Sequence, residues 1–267
     1  MIRILYKCLL LVILLSGICF GATPDNVFKK HNSMLYNPLS HGLNEYSVKV
    51  DLPDFVKHLR KTSAIDKGER LSVRMHWRKP NKRGVEVLGV DGKGHILDSL
   101  KRSFQNKFEL IVPRSLESYY EGYSKRVIKE SDGEVLIEAK DPTARKVIQR
   151  FVFKFGANGL IKQVKIYRPS GVETREYSYQ KRSEAGNKYV ASMVKATVLG
   201  AGFRTVTEYK LSYIKTSGFY VPAKMESSTK LIPSQKKGVE KEISETLIFS
   251  DYFINKDRAR KWFNSKS

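Results

Sequence analysis

The chain has 267 residues, 41% of them hydrophobic and 28% charged, with a formal net charge of +22. That length is ample for one hydrophobic core or one large all-β domain. Both cysteines, Cys8 and Cys19, fall within the first 21 residues, so a chain processed after Gly21 excludes a disulfide framework.

The N-terminus reads as a secretory signal. Arg3 and Lys7 precede an apolar run from Cys8 to Leu15, and small residues follow at Ser16, Gly17, Cys19 and Gly21. The run is shorter than the ~20 residues of a membrane span. Residues 1–21 are therefore expected to be a cleaved signal peptide. The product is an exported, periplasmic chain starting at Ala22, with a net charge of +20 once Arg3 and Lys7 are lost. The competing readings are a retained N-terminal anchor and lipidation at Cys19. Against lipidation, Ile18 and Ser16 stand where a lipobox asks for a small residue and for Leu.

Residues 24–37 carry Val27, Phe28, His31, Met34 and Leu35 at helical spacing, with Thr23 or Asp25 as cap and Pro38 as stop. Leu43 to Leu52 alternates as a first strand, and Asp54 to Lys61 reads as a short helix. Leu71 to Arg78 has period two, with Leu71, Val73, Met75 and Trp77 on one face and Ser72, Arg74, His76 and Arg78 on a polar, solvated one. After the break at Lys79-Pro80-Asn81-Lys82, Val85 to Val90 resumes as a strand. Ile96 to Phe104 is expected to be helical, and Phe108 to Val112 a short apolar strand closed by Pro113. Leu116 to Tyr123 supports no assignment.

From Lys125 onward, turn signals punctuate runs rich in Val, Ile, Tyr, Phe and Thr. They stand at Asp132-Gly133, Asp141-Pro142, Asn158-Gly159, Ser170-Gly171, Ala185-Gly186, Gly200-Ala201-Gly202 and Ser217-Gly218. Strands joined by tight turns must pair antiparallel, because parallel strands need long crossovers. Val127 and Ile128 face Val135 and Ile137 across the first turn. Val147, Phe151, Phe153 and Phe155 lead through Asn158-Gly159, read as a two-residue hairpin turn, into Leu160, Val164 and Ile166. Further strands cover Val172–Lys181, Lys188–Val198, Phe203–Lys215, Phe219–Lys230 and Val239–Ser250, and Asp257 to Phe263 closes the chain as a helix. The fold class is mainly β with a few helices, one large antiparallel meander. No Pro/Gly/Ser-rich linker divides residues 22–267, so they read as one domain.

No catalytic constellation emerges. His31, His41, His58, His76 and His95 are too widely spaced for metal ligation, and no cysteine assists after processing. Gly89 and Gly94 have the separation of a phosphate loop, but His95 stands where Lys is required. No G-x-S-x-G elbow exists. Glu130, Asp132, Glu134 and Glu138 are explained by a turn and by outward strand positions beside lysines. The expectation is a protein that is not an enzyme, with no cofactor and no metal.

The positive residues recur at alternate positions, as in Lys146, Arg150 and Lys154, rather than as a nucleic-acid patch. A solvated outer sheet face is favoured over a specific anionic partner, and nucleic acid is not expected. Fourteen Tyr and thirteen Phe fall mostly on strands. A sheet this wide must close on itself or leave part of its apolar concave face open, which suggests a hydrophobic ligand.

Several segments resemble the LolA/LolB-like outer-membrane lipoprotein-sorting proteins. Trp77-Arg78-Lys79-Pro80-Asn81-Lys82-Arg83 resembles the family's aromatic–basic–Pro strand end, and Phe155-Gly156-Ala157-Asn158-Gly159-Leu160-Ile161 its central hairpin. Gly218-Phe219-Tyr220-Val221-Pro222 resembles a late strand, and Phe249-Ser250-Asp251-Tyr252-Phe253-Ile254-Asn255 with Trp262-Phe263 the closing strand and helix. The positive charge and the segment around Ser99–Tyr123 depart from the family pattern. The resemblance implies a half-open barrel with helices plugging its concave side, which shelters lipid or lipoprotein acyl chains without covalent chemistry. Its implied partners are membrane-bound donor and acceptor complexes. On this reading Val73, Met75, Trp77, Phe151, Phe153, Val164 and Ile166 line the hydrophobic cavity. The alternative is a binding module of the same fold whose basic surface grips an anionic envelope component such as lipopolysaccharide.

Overall fold

The computed structural model describes residues 22–62, 64–66, 70–89, 94–105, 107–200, 202–233 and 240–266. The signal-peptide expectation, with Cys8 and Cys19, lies outside the described residues, as do Ala201 and Val239.

The chain runs α1 (Pro24–Met34), β1 (Glu45–Asp51), α2 (Pro53–Lys61), β2 (Ser72–Arg78), β3 (Lys82–Leu88), α3 (Gly94–Gln105) and α4 (Leu116–Tyr119). The long meander follows: β4 (Ser124–Ser131), β5 (Glu134–Lys140), β6 (Arg150–Phe155), β7 (Ile161–Arg168), β8 (Gly171–Arg182), β9 (Lys188–Gly200), β10 (Phe203–Thr216), β11 (Phe219–Pro233) and β12 (Lys241–Ile254). Helix α5 (Arg258–Asn264) ends it. All twelve strands form one antiparallel sheet in the order β3-β2-β1-β12-β11-β10-β9-β8-β7-β6-β5-β4. The turn pattern predicts this antiparallel meander, and the sheet is curved but not closed into a barrel. The two edges, β3 and β4, are consecutive in sequence, so the segment between them must pass from one edge of the sheet to the other.

Turn chemistry sets the register. Asp132 and Gly133 both have positive φ (53° and 73°), as do Ser217 and Gly218 (50° and 82°). These are two-residue hairpins whose twist matches the flanking strands. Asn158-Gly159 differs from the expected two-residue turn. Only Gly159 is left-handed, the Gly159 N–H donates to the Gly156 carbonyl at 2.8 Å, and Asn158 Oδ1 accepts from the Leu160 N–H. One extra residue therefore enters the loop, a type I turn followed by a left-handed glycine.

Four further expectations are corrected. Helix α1 stops at Met34, before Pro38, because Leu35 is extended and bridges to Tyr189 on β9. Residues 107–110 form a 3₁₀ turn rather than a strand. Ile111 and Val112 both donate to the Phe108 carbonyl, and the fully buried Phe108 ring packs against Tyr46 at 6.4 Å. Val147 is not on a strand but 77% exposed in a loop. There the Asp141 carboxylate accepts from the Lys146 and Thr143 N–H groups, and these bonds hold its pKa down to about 2. That delays β6 to Arg150. His76 is not solvated, because α5 covers its face of the sheet. Its ring is 1% exposed and stacks on Trp262 at 4.5 Å.

The inner face follows from the registers. Val127, Ile137, Phe153, Val164 and Arg175 stand successively opposite one another from β4 to β8. Tyr177 on β8 continues the row through Val194, Tyr209, Leu211, Met225 and Leu247 to β12. Two large core clusters sit on this face, and a smaller third gathers Tyr36, Ala185, Val190 and Tyr220 with Tyr213. One packs α2 and α3 (Leu59, Ile96, Leu100, Phe104) against β1–β3, β11 and β12. The other packs Val27 and Phe28 of α1 and Tyr120 against β5–β7. Each fully buried aromatic or aliphatic side chain here contributes roughly 1.5–3 kcal/mol.

Candidate ligand cavity

Between the two helix-packed regions the inner face of β8–β10 is only partly covered, with Tyr36 packed against Val190 and Tyr213 at one end. A cavity of about 270 Å³ opens there. Its floor is Tyr177 and Tyr179 of β8, Val194 of β9, and Leu211 and Tyr213 of β10. Its roof is the end of α1, with His31, Leu35 and Tyr36, and the segment from Glu109 to Leu116 that connects the sheet edges.

Several polar atoms in this wall bond to the protein. Tyr213 Oη donates to the Ala191 carbonyl at 2.9 Å, and Tyr36 Oη accepts from the Tyr220 N–H at 2.9 Å. Burial pushes the Tyr120, Tyr177, Tyr179 and Tyr213 phenols up, so all four are neutral. His31 Nδ1 accepts from the Ile161 N–H at 3.3 Å, which ties α1 to the β6–β7 hairpin. Burial lowers the imidazole to about 4, partly opposed by its hydrogen bond to the Gly159 backbone. His31 is therefore neutral at pH 7. The result is a largely apolar, aromatic enclosure with no reactive group in it, suited to an apolar guest.

A second chamber of about 250 Å³ adjoins the first, sharing Arg114, Leu116, Tyr120, Val164 and Tyr177. It adds Phe151, Ile166, Arg168 and Arg175 to the wall.

The chain matches no family model, no curated protein and no solved structure.

The seven residues expected to line the cavity separate into groups. Val164 lines both chambers, and Phe151 and Ile166 line the second. Phe153 is fully buried beneath Phe28, with ring centroids 5.4 Å apart. Val73 and Met75 are fully buried in the cluster under α2 and α3. Trp77 belongs to the same cluster and stacks on Tyr46 at 6.0 Å, with one edge on a separate surface cleft. All seven thus lie on the inner face, but helices cover four of them. The residues that sequence reasoning missed are Tyr177, Tyr179, Val194, Leu211 and Tyr213. Their signal was the alternation of large apolar groups along 177–179 and 209–213.

A triad-like order also appears across β1–β3. Ser47 Oγ lies 2.7 Å from His76 Nδ1, and His76 Nε2 lies 3.3 Å from Glu86 Oε2. Ser47 is 0% exposed and its partner ring is sealed by Trp262, so no substrate reaches the hydroxyl. A nucleophile needs a reacting atom within about 3 Å, and this chain of bonds instead satisfies polar groups that α5 buries. Among the described residues, no group of three or more His, Cys, Asp or Glu side chains is placed to hold a metal ion. No helix among them is long and apolar enough to cross a membrane.

Proposed function

We propose that this chain is a non-enzymatic, exported lipid carrier of the LolA/LolB-like kind, which shelters acyl chains on the inner face of its half-open sheet and serves lipoprotein sorting at the outer membrane. The observation that carries the proposal is the apolar, tyrosine-walled cavity left between the two helix-packed cores. The segments that carry the resemblance lie at strand ends and connections of the sheet. Residues 77–83 join β2 to β3, 155–161 join β6 to β7, 218–222 open β11, and 249–255 end β12.

Binding on this reading needs no covalent step. Each methylene moved from water into the cavity contributes ~0.8 kcal/mol. The cavity, at about 270 Å³, lies just below the roughly 300–1,000 Å³ typical of ligand sites. It fits one chain as it stands, and further chains require the α1 and 109–116 roof to move. Transfer then follows from competition with an acceptor that offers the chain a drier surface.

Native mass spectrometry of protein purified from a bacterial envelope tests this. Co-purified lipid, and displacement of a fluorescent fatty acid by unlabelled acyl chains, are the expected results. An empty protein that binds lipopolysaccharide with steep salt dependence instead supports the basic-surface alternative, which rests on the +20 charge left once Arg3 and Lys7 are lost. On the outer sheet face many lysines already pair with acids. Lys154 and Lys162 share Glu134, and Lys224 pairs with Glu226.

A further inference from the structure

We infer that the second chamber is a headgroup site, and that the ligand of this cavity is a single-chain amphiphile with an anionic head, a carboxylate or a phosphate. The inference rests on the acyl-chain carrier part of the reading above and replaces the lipoprotein cargo with a single-chain anionic lipid.

Inner-face positions of β7 and β8 are not uniformly apolar. They run Val164, Ile166, Arg168 on one strand and Glu173, Arg175, Tyr177, Tyr179 on the other. Arg175 stands opposite Val164 and Ala196, and Glu173 opposite Ile166 and Val198. Charges on the outer face serve solubility. Charges on the face that folding desolvates cost free energy and call for another explanation.

Glu173 is 8% exposed and accepts from both arginines, with Arg168 Nη1 at 2.7 Å from Oε2 and Arg175 Nε on Oε1. Burial works to raise this carboxyl's pKa, but the two guanidiniums outweigh it and hold the group ionised. One carboxylate thus serves two cations. A third guanidinium, Arg114, comes from the roof segment and pairs with Glu109 at 2.9 Å. Arg114, Arg168 and Arg175 all line the second chamber. Three arginines stand against two glutamates, so the site keeps a net positive charge. A guanidinium has five N–H donors in a fork that suits carboxylate and phosphate. The contacts with Glu173 use one donor of Arg168 and one of Arg175.

The two chambers share Leu116, Tyr120, Val164 and Tyr177, and the Arg114–Glu109 pair stands at their junction, lining both. A chain lying along the tyrosine floor therefore sets its head among the arginines. The apolar chamber supplies affinity and the arginine chamber supplies orientation.

The test compares laurate, dodecyl phosphate and methyl laurate by calorimetric titration of the wild-type protein. Laurate and dodecyl phosphate are expected to bind about tenfold tighter than the uncharged ester, the worth of one charge-assisted hydrogen bond. In the R114Q/R168Q double variant, which keeps the Arg175–Glu173 pair, the ratio of laurate to methyl laurate affinity falls from about ten to about one. Acetate and inorganic phosphate should not displace laurate, and displacement by either would make this a free-anion site and overturn the inference. Equal affinity for laurate and its ester overturns the headgroup site but leaves the carrier reading standing. Failure of all three amphiphiles to bind overturns both. Should the double variant fail to fold, the wild-type comparison still decides.

Discussion

Acidification should weaken this fold through one histidine. His31 is 3% exposed, accepts the Ile161 N–H on Nδ1, and packs edge-on against Phe155 and Tyr179. Its pKa falls from 6.5 to about 4, chiefly because burial disfavours the imidazolium. The unfolded chain takes up the proton near pH 6.5 and the folded chain does not. Stability from this group is thus fully present above pH 6.5 and lost progressively as pH falls toward 4. A depression of this size corresponds to about 3 kcal/mol, at 1.36 kcal/mol per pH unit. Urea unfolding between pH 7 and pH 4 on wild type and His31→Gln isolates the effect, since the carboxylates are common to both. Wild type should lose about 3 kcal/mol more than the variant across that range. Parallel pH profiles would show that His31 titrates normally, and the described seat of α1 on the β6–β7 hairpin would be wrong.

Val194→Trp places an indole on the cavity floor and should reduce fatty-acid affinity at least tenfold, with thermal stability little changed; unchanged affinity would place the ligand elsewhere. Gly84→Ala puts a methyl 2.2 Å from the Trp262 ring and should cost about 1–3 kcal/mol in denaturant unfolding, with a smaller cost in a Trp262→Ala background. Phe153→Ala should cost about 3–5 kcal/mol by the same assay, since it empties the core under α1. Trp77→Asp should unfold the protein rather than selectively abolish acyl binding, because Trp77 is 1% exposed and stacks on Tyr46 in the core cluster; circular dichroism separates the two outcomes.

What the sequence revealed was local. Asp132-Gly133 and Ser217-Gly218 are turns that few other dipeptides make, so the meander and its registers could be read from them. The alternation of β2 told which residues share a face. What covers each face depends on residues far away in the chain. His76 looked solvated because its cover, Trp262, lies far along the chain on α5. Phe108 to Val112 looked like a strand because a short apolar run has no distinguishing period, and a lone 3₁₀ turn serves equally well to bury Phe108. The seven inner-face residues named from the sequence were placed on one side by their pattern. Which of them remained open to a ligand depended on where α1, α2 and α3 settle, and the partly covered stretch fell at β8–β10. The Glu173–Arg175 interruption of that face was visible in the alternation, but only the registers show that it points inward.

The central claim is that an acyl chain lies on the inner face of β8–β10. A fatty acid bearing a photoactivatable diazirine in its tail, irradiated with the protein and mapped by peptide mass spectrometry, tests it directly. The account predicts adducts on 177–179, 190–194 and 211–213 and on the end of α1, all suppressed by excess unlabelled fatty acid. Adducts confined to the outer face of the sheet, or none above background, would contradict it.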